Sequence, residues 1–251
     1  MKRKDKRNVA LFVLRRLIIG VLIMTVAGML LEGCGNKEER AEKVKAALEE
    51  KYGGEFEVMR VMGQGVMEDY FVAEAYNTEY PDLPFSLNMD VNDGNFMDGY
   101  VMKRGTNLIA GQAAQNLGSL QGAYYVHVQS MFPDSVSSDP EISLDDYLES
   151  ESTNFFTIYL YVDPGQETPE SLYSAVSAIL KGMEKMEGSV EIFFADEKKM
   201  DQAREYVESH AGLENEYYEI GKDCHITGIR FKEGVLQISE DSFLDIVRNR
   251  M

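Results

Sequence analysis

Thiols and imidazoles are the side chains here most able to act as nucleophiles, bases or metal ligands, and they are few. The 251 residues contain two cysteines, Cys34 and Cys224, and three histidines, His127, His210 and His225. The two cysteines are far apart in sequence, so no Cys-x-x-Cys redox or zinc pair exists. Each thiol and each imidazole must therefore be considered with its own neighbours.

The histidines are expected to be structural. His127 falls on the polar side of an alternating segment, which predicts a solvated strand face. His210 lies in the last turn of a predicted helix, where a cation is favoured by the helix dipole. His225 follows Cys224, but adjacent strand residues point to opposite faces, so a working Cys–His pair is not expected.

Cys224 opens an apolar alternation, and free cysteine is among the most buried residue types. We therefore predict that Cys224 lies in the core, with a reactive thiol as the alternative. The chain shows no nucleophile elbow, phosphate-binding loop or zinc-binding helix. No catalytic residue and no cofactor site is predicted.

Two acidic segments could bind calcium. The run from Asp90 to Asn95 resembles a calcium loop, but its glycine, Gly94, stands at position five instead of six, and Val101 stands where a ligand glutamate is needed. A hairpin turn at Asp93-Gly94 is the better interpretation. Residues 133–152 are also acidic, and a charged linker is favoured there over a weak calcium site. No metal site is predicted.

Cys34 has the most informative surroundings. A basic stretch is followed by an uncharged apolar run, Leu17–Leu31, and then by Glu32, Gly33 and Cys34. This order is typical of a secretory signal. The sequence Leu31-Glu32-Gly33-Cys34 resembles the lipobox of bacterial lipoproteins. The resemblance implies that residues 1–33 are a signal peptide, that Cys34 carries a diacylglyceryl group, and that the protein is anchored to the extracytoplasmic face of the cell membrane.

A signal-anchor helix is the alternative interpretation of the same segment. The family prefers a small or uncharged residue where this chain has Glu32. The fifteen residues of Leu17–Leu31 are, however, fewer than the roughly 20 that span a bilayer. Arg15 and Arg16 would make a longer span costly inside hydrocarbon.

Charge excludes one class of partner. The whole chain has a formal charge of −18, and the part after Gly33 retains 18 basic and 41 acidic residues, a charge near −23. Such an excess repels phosphate backbones, so nucleic acid is excluded as a partner. Acidic surfaces favour solubility, cationic ligands or divalent ions.

Alternating and helical periodicities predict an α+β fold, with one or two antiparallel or mixed sheets covered by helices. An arrangement in two subdomains of similar size fits this pattern. The expected organisation is an anchor-proximal surface helix in residues 34–54, a first subdomain in 55–132, an acidic linker in 133–152 and a second subdomain in 153–251. Phe155–Ala195 is expected to form one βαβ unit.

The sequence predicts two long helices. One runs from about Phe96 to Leu120, weakened by internal glycines such as Gly105. The other begins at Thr168-Pro169 and its apolar spacing extends to Gly188. A shorter helix, capped by Ser143 and running through Leu148, is predicted inside the acidic linker.

A second resemblance concerns Lys51–Val58, the Leu83-Pro84-Phe85 strand, Asp93-Gly94 and Asp98-Gly99-Tyr100. These segments resemble uncharacterised lipoproteins of Gram-positive anaerobes, which implies a location more than an activity. The leading hypothesis is a lipid-anchored, non-enzymatic binding or scaffolding module of the cell envelope. The alternatives are a small-ligand receptor that serves a membrane transporter, and an envelope enzyme without a recognisable motif.

Overall fold

The chain folds as α+β, as predicted, with two sheets and helices packed against them. In the computed structural model, the described residues are 37–62, 69–131, 137–150, 155–211 and 225–251. These ranges contain six helices, a four-stranded antiparallel sheet and a five-stranded mixed sheet. Cys34, Cys224 and the predicted signal peptide lie outside the described residues.

The first sheet consists of β1 (Phe56–Val61), β2 (Tyr70–Asn77), β3 (Phe85–Asp90) and β4 (Phe96–Asp98), paired in chain order. The β3–β4 hairpin confirms the predicted turn, because Gly94 adopts a left-handed φ of 76° that favours glycine. Strict alternation of Phe85, Leu87 and Met89 buries one face of β3.

Helix α1 (residues 37–52) lies against this first sheet. It ends before Gly53, whose left-handed φ of 70° is typical of the residue after a helix. Most of its side chains are exposed or half-buried, as expected of a surface helix, and Val44 and Leu48 are completely buried in the core of the first sheet. Two apolar side chains four positions apart are enough to fix one helix face.

Helix α2 (Tyr100–Asn116) is shorter than predicted at both ends. Phe96–Asp98 belongs to a strand instead, because these residues pair with Leu87–Met89 of β3. The helix joins two cores: Tyr100 packs edge-on against Phe56 in the first core, and Ile109 is buried in the core of the second sheet.

The second sheet has the order β5-β6-β7-β8-β9. Its strands are β5 (Tyr124–Ser130), β6 (Phe155–Val162), β7 (Glu187–Phe194), β8 (His225–Lys232) and β9 (Val235–Leu236). The pair β6–β7 is parallel and the other pairs are antiparallel. This confirms the predicted βαβ unit, since parallel neighbours need a crossover helix.

Helix α3 (Leu144–Ser150) lies in the acidic connection and confirms the helix predicted there. Ser143 Oγ accepts a hydrogen bond from the Asp146 N–H, 3.2 Å away. The helix is also part of the core, because Tyr147 is fully buried against Gly105. A Cβ at position 105 would lie 2.2 Å from the Tyr147 ring, so glycine is what lets these helices approach.

The chain passes from the first sheet to the second before the acidic connection begins. Strand β5 precedes that connection but pairs with β6 along its whole length. The predicted domain boundaries themselves stay a prediction. Strand β5 is therefore the outer strand of the second sheet. It lies beside the end of α2 that packs against the first sheet.

Helix α4 (Pro169–Ile179) crosses from β6 to β7. Its start is as predicted, with Thr168 and Ser171 forming a reciprocal capping box. The predicted extension to Gly188 was wrong, because the chain turns after the helix and Gly182 takes a φ of 84°. Met183 nevertheless stays buried, which explains why the apolar spacing looked helical beyond the true end.

Helices α5 (Glu197–Ser209) and α6 (Glu240–Arg248) complete the description. Asp196 caps α5, with its Oδ1 accepting a hydrogen bond from the Lys199 N–H at 2.9 Å. Helix α5 covers the face of the second sheet that carries Tyr159, Tyr161 and Phe193. Helices α2, α4 and α6 contribute to the core on the opposite face.

Candidate functional site

A cleft runs along the outer edge of β5, where the second sheet faces the β2–β3 connection and the start of β3. We call it the seam cleft. It has two adjoining parts of about 230 and 360 Å³. Five residues line both parts and define it: Lys103, Thr106, His127, Val128 and Val207. The second volume falls within the range of small-molecule sites in proteins.

Helix α2 places Lys103 in the cleft. Tyr100 and Thr106, three positions to either side, are each about 2% exposed, so Lys103 projects from a covered stripe of the helix. Burial lowers the pKa of the Lys103 ammonium to about 8, and no described carboxylate offsets that shift. A desolvated ammonium without an acidic partner is costly and is ready to bind an anion.

His127 lies beside Lys103 and corrects one prediction. Its strand face is not solvated, because α5 covers that face, and the imidazole is half-buried. The ring stacks on Tyr159 with the centroids 5.9 Å apart. Burial, assisted by the Lys103 charge, lowers the pKa of His127 to about 3, so the imidazole is neutral at physiological pH.

His210 stands at one end of the cleft, directly after α5. The helix ends at Ser209, so His210 follows the last turn instead of lying in it, and its ring contacts that turn. Its ring stacks on Tyr206 at 4.1 Å, and its Nδ1 lies 3.0 Å from the Tyr206 carbonyl oxygen. This packing holds the end of α5 in a fixed position beside the cleft.

Acidic side chains line the other end. Glu79, Asp82 and Glu208 surround the larger part of the cleft. The pKa of Glu208 is raised, first by desolvation and then by the nearby Asp82 carboxylate, while Arg204 lowers it in part. The cleft therefore combines a cationic centre at Lys103 with an anionic rim.

The start of β5 is fixed by a buried carboxylate. Glu167 is 8% exposed, and its Oε1 accepts hydrogen bonds from the N–H groups of Gln121 and Gly122 at 2.7 and 2.9 Å. Its Oε2 accepts from the Ser171 hydroxyl at 2.7 Å. This contact ties the segment before β5 to the first turn of α4 and so sets the position of the strand edge.

The remaining candidate residues do not enter the cleft. His225 lies on β8, where its ring stacks on Phe193 at 5.3 Å. In the Asp90–Asn95 turn, Asp90 Oδ1 accepts from the Asn92 N–H at 2.7 Å, as in an ordinary polar turn. Within the described ranges, no group of three or more His, Cys, Asp or Glu side chains could hold a metal ion.

Lys103 was not predicted as a site residue. A lysine in a helix normally extends from the surface, whereas the candidate residues in the sequence were cysteines, histidines and acids. One signal was available: Lys103 is spaced by three from Tyr100 and Thr106, which places it on the helix stripe that faces protein.

None of the helices in the described ranges is long and apolar enough to cross a membrane.

Comparison with known proteins yields a fold and no activity. No protein-family model matches the sequence, and no curated protein matches it. Among solved structures, the chain is similar to a DUF5037 family protein from Ruminococcus gnavus, with a TM-score of 0.59. The match covers 81% of this chain and 96% of that protein at 14% identity. At this identity the similarity supports the fold alone.

Proposed function

We propose that this protein is a lipid-anchored, non-enzymatic binding module of the cell envelope, and that the seam cleft holds an anionic group of its ligand. The location rests on the lipobox-like sequence at Cys34. The observation that carries the binding site is Lys103, a desolvated ammonium in a cleft with no described carboxylate partner. An anion placed there would recover the electrostatic energy that burial removes.

The binding proposal is tested by thermal shift. The full chain in detergent micelles is screened against acetate, succinate, phosphate, free amino acids and short peptides. A ligand present at 100 times its dissociation constant stabilises by about 2.7 kcal/mol, which gives a shift of several degrees. We expect an anionic compound to raise the melting temperature of the wild type.

Two variants make this screen specific. Lys103→Met keeps the aliphatic stem and removes the charge, so the shift should disappear. Lys181→Met removes an exposed lysine outside the cleft and should leave the shift unchanged. No shift with any compound, or an equal shift in Lys103→Met, would contradict the proposed binding site.

The anchor is tested separately by intact mass. The wild type expressed in a bacterial host is expected in the membrane fraction, with a mass that begins at Cys34 and includes a diacylglyceryl unit. The Cys34→Ala variant should remain unprocessed. A full-length, unmodified wild type would contradict the lipoprotein proposal and favour a signal-anchored protein.

A small-ligand receptor is the second candidate function, and the mixed charge of the cleft favours it. A zwitterion could place its carboxylate at Lys103 and its ammonium near Asp82 and Glu208. Free amino acids would then be the compounds that shift the melting temperature. A shift with peptides but not with amino acids would instead favour the binding-module proposal.

A further inference from the structure

The two outer edges of the second sheet differ. At one side the sheet ends in β9, a strand of two residues, which is a common way to make an edge unattractive to other chains. At the other side it ends in β5, a strand of seven residues. The long edge is therefore the one able to pair with another strand.

Hydrogen bonds at the two ends of the β5–β6 ladder show which backbone groups point outward. The Met131 N–H donates to the Phe155 carbonyl at 2.8 Å, and the Asp163 N–H donates to the Ala123 carbonyl at 3.3 Å. In an antiparallel pair, alternate residues bond to the partner strand. Odd-numbered residues of β5 therefore bond to β6, and even-numbered residues direct their N–H and C=O groups away from the sheet.

At the middle of this edge, the backbone N–H and C=O groups of Val126 and Val128 point away from the sheet. Both residues line the seam cleft. Within the part of the chain that the structure describes, the outward N–H and C=O groups of these two valines have no hydrogen-bond partner. Unpaired backbone groups beside covered protein surface favour a ligand that can satisfy them.

The lining of the cleft follows the edge of a strand. Seven consecutive residues, Tyr125 to Met131, line it, as expected when the edge of a strand and not one face forms the wall. Lys103 of α2 stands on one side of this edge and Val207 of α5 on the other. A strand of about five residues, at roughly 3.4 Å each, is long enough to pair with both Val126 and Val128.

We propose that the edge of β5 accepts an extended peptide segment of a partner protein as a sixth strand of the second sheet, with a carboxylate of that segment held by Lys103. This inference rests on the proposed function, since it specifies the ligand of the same cleft. The backbone of the peptide supplies partners for Val126 and Val128. Its carboxylate supplies the negative charge that the cationic centre lacks. Main-chain pairing gives affinity, and Lys103 gives selectivity and register.

The carboxylate could come from an acidic side chain or from a chain terminus, so the probes separate these sources. Three random hexapeptide pools are used: one with free C-termini and no Asp or Glu, one amidated and containing Asp and Glu, and one amidated without them. Binding to the full chain in detergent micelles is measured by fluorescence polarisation. The first or the second pool is expected to bind, and the third at least about tenfold more weakly.

Hydrogen exchange resolved to single residues tests the pairing itself. In the free protein, the amides of Val126 and Val128 should exchange faster than those of Tyr125 and His127, which bond to β6. On addition of the binding pool, the two valine amides should slow by about tenfold or more, while Tyr125 and His127 change little. The two odd-numbered amides serve as the matched control within one strand.

Peptide chemistry then tests the mode without altering the protein. N-methylation at alternate positions of a selected hexapeptide removes the hydrogen bonds to β5 in one register, so one of the two alternately methylated versions should lose at least tenfold in affinity. On the protein side, Lys103→Met should lose binding and Lys181→Met should retain it. Val128→Pro removes one outward N–H group without removing a hydrogen bond to β6, so it should weaken peptide binding. The melting temperature of this variant shows whether it is folded.

The outcomes separate this inference from the proposed function. If acetate or amino acids bind through Lys103 but no peptide pool does, the proposed binding site stands and the sixth strand is wrong. If peptides bind without slowing the Val126 and Val128 amides, the sixth strand is again wrong. If neither peptides nor small anions bind, both proposals fail. Slowed valine amides together with loss of binding in Lys103→Met would support both.

Discussion

Two charged groups close to β5, Glu167 and Lys103, show opposite solutions to burial. Glu167 accepts three hydrogen bonds, two of them from backbone N–H groups that would otherwise be unpaired. Lys103 is also removed from water, but no described carboxylate compensates its charge. One buried charge is satisfied by neighbouring groups, and the other has no acidic partner among the described residues.

The difference separates a structural charge from a functional one. Satisfying a buried charge internally stabilises the fold, and removing it leaves its partners unpaired. An uncompensated charge costs stability, and natural proteins keep such costs mainly where a ligand supplies the missing partner. Glu167 therefore positions the edge of β5, and Lys103 is left available at that edge. Three substitutions and two changes of pH can test this contrast.

Removing the satisfied charge should have the largest effect. Glu167→Ala leaves the Gln121 and Gly122 N–H groups without their acceptor, while the Ser171 hydroxyl can still donate to the Thr168 carbonyl, 2.9 Å away. We expect a loss of about 3 kcal/mol in the free energy of unfolding, measured by urea denaturation at pH 7. Glu170→Ala, three residues later in the first turn of α4, is the control: its carboxylate is exposed and pairs with Arg248, so its removal should matter far less. Equal losses in the two variants would show that Glu167 has no special role.

The second expected effect concerns His127, the other desolvated base in the cleft. Its pKa is about 3 in the folded protein against an ordinary 6.5, so the unfolded chain binds more protons between these values. Stability is therefore complete above pH 6.5 and is lost as the pH falls toward 3. From pH 7 to pH 5 this one group should cost about 2 kcal/mol.

His127→Phe isolates that contribution, because phenylalanine keeps the ring stacked on Tyr159 and cannot be protonated. Urea denaturation of both proteins at pH 7 and pH 5 gives the difference. Other groups titrate in both proteins and cancel. The wild type should lose about 2 kcal/mol more than the variant over this range. Parallel losses would mean that water reaches the imidazole freely.

Periodicity and turn chemistry were enough to predict most of the fold. The alternation on β3 and β6, the caps at Thr168 and Asp196, and the βαβ unit all follow from local sequence. The errors came where tertiary contacts decide. Phe96–Asp98 forms a strand because β3 is there to pair with it, and Met183 is buried beyond the true end of α4.

The cleft was far less predictable from the sequence. His127 was assigned to a solvated face because nothing local indicates that α5 folds over it. Lys103 has no motif, since its significance depends on which carboxylates are absent around it in three dimensions. A sequence pattern can show that a residue lies on a buried stripe, but not whether its charge is compensated there.

Removing the Lys103 charge should stabilise the protein, which is the opposite of the effect expected for Glu167→Ala. Lys103→Met keeps the stem in place and avoids the cost of a desolvated ammonium. We expect a gain of about 1 to 2 kcal/mol at pH 7, measured by urea denaturation. Lys181→Met should leave stability almost unchanged, because Lys181 is exposed. A loss in Lys103→Met would show that the ammonium is compensated after all.

The smallest expected effect is the part of the Lys103→Met stabilisation that persists at high pH. The folded pKa of Lys103 is about 8 and its ordinary value is 10.5, so the unfolded state binds more protons between these values. The cost of Lys103 is therefore complete below pH 8 and declines as the pH rises to 10.5. At pH 10 the advantage of Lys103→Met should fall to a few tenths of a kcal/mol. An advantage that stays constant from pH 7 to pH 10 would have to come from better packing of methionine, and the contrast between the two buried charges would then lose its electrostatic basis.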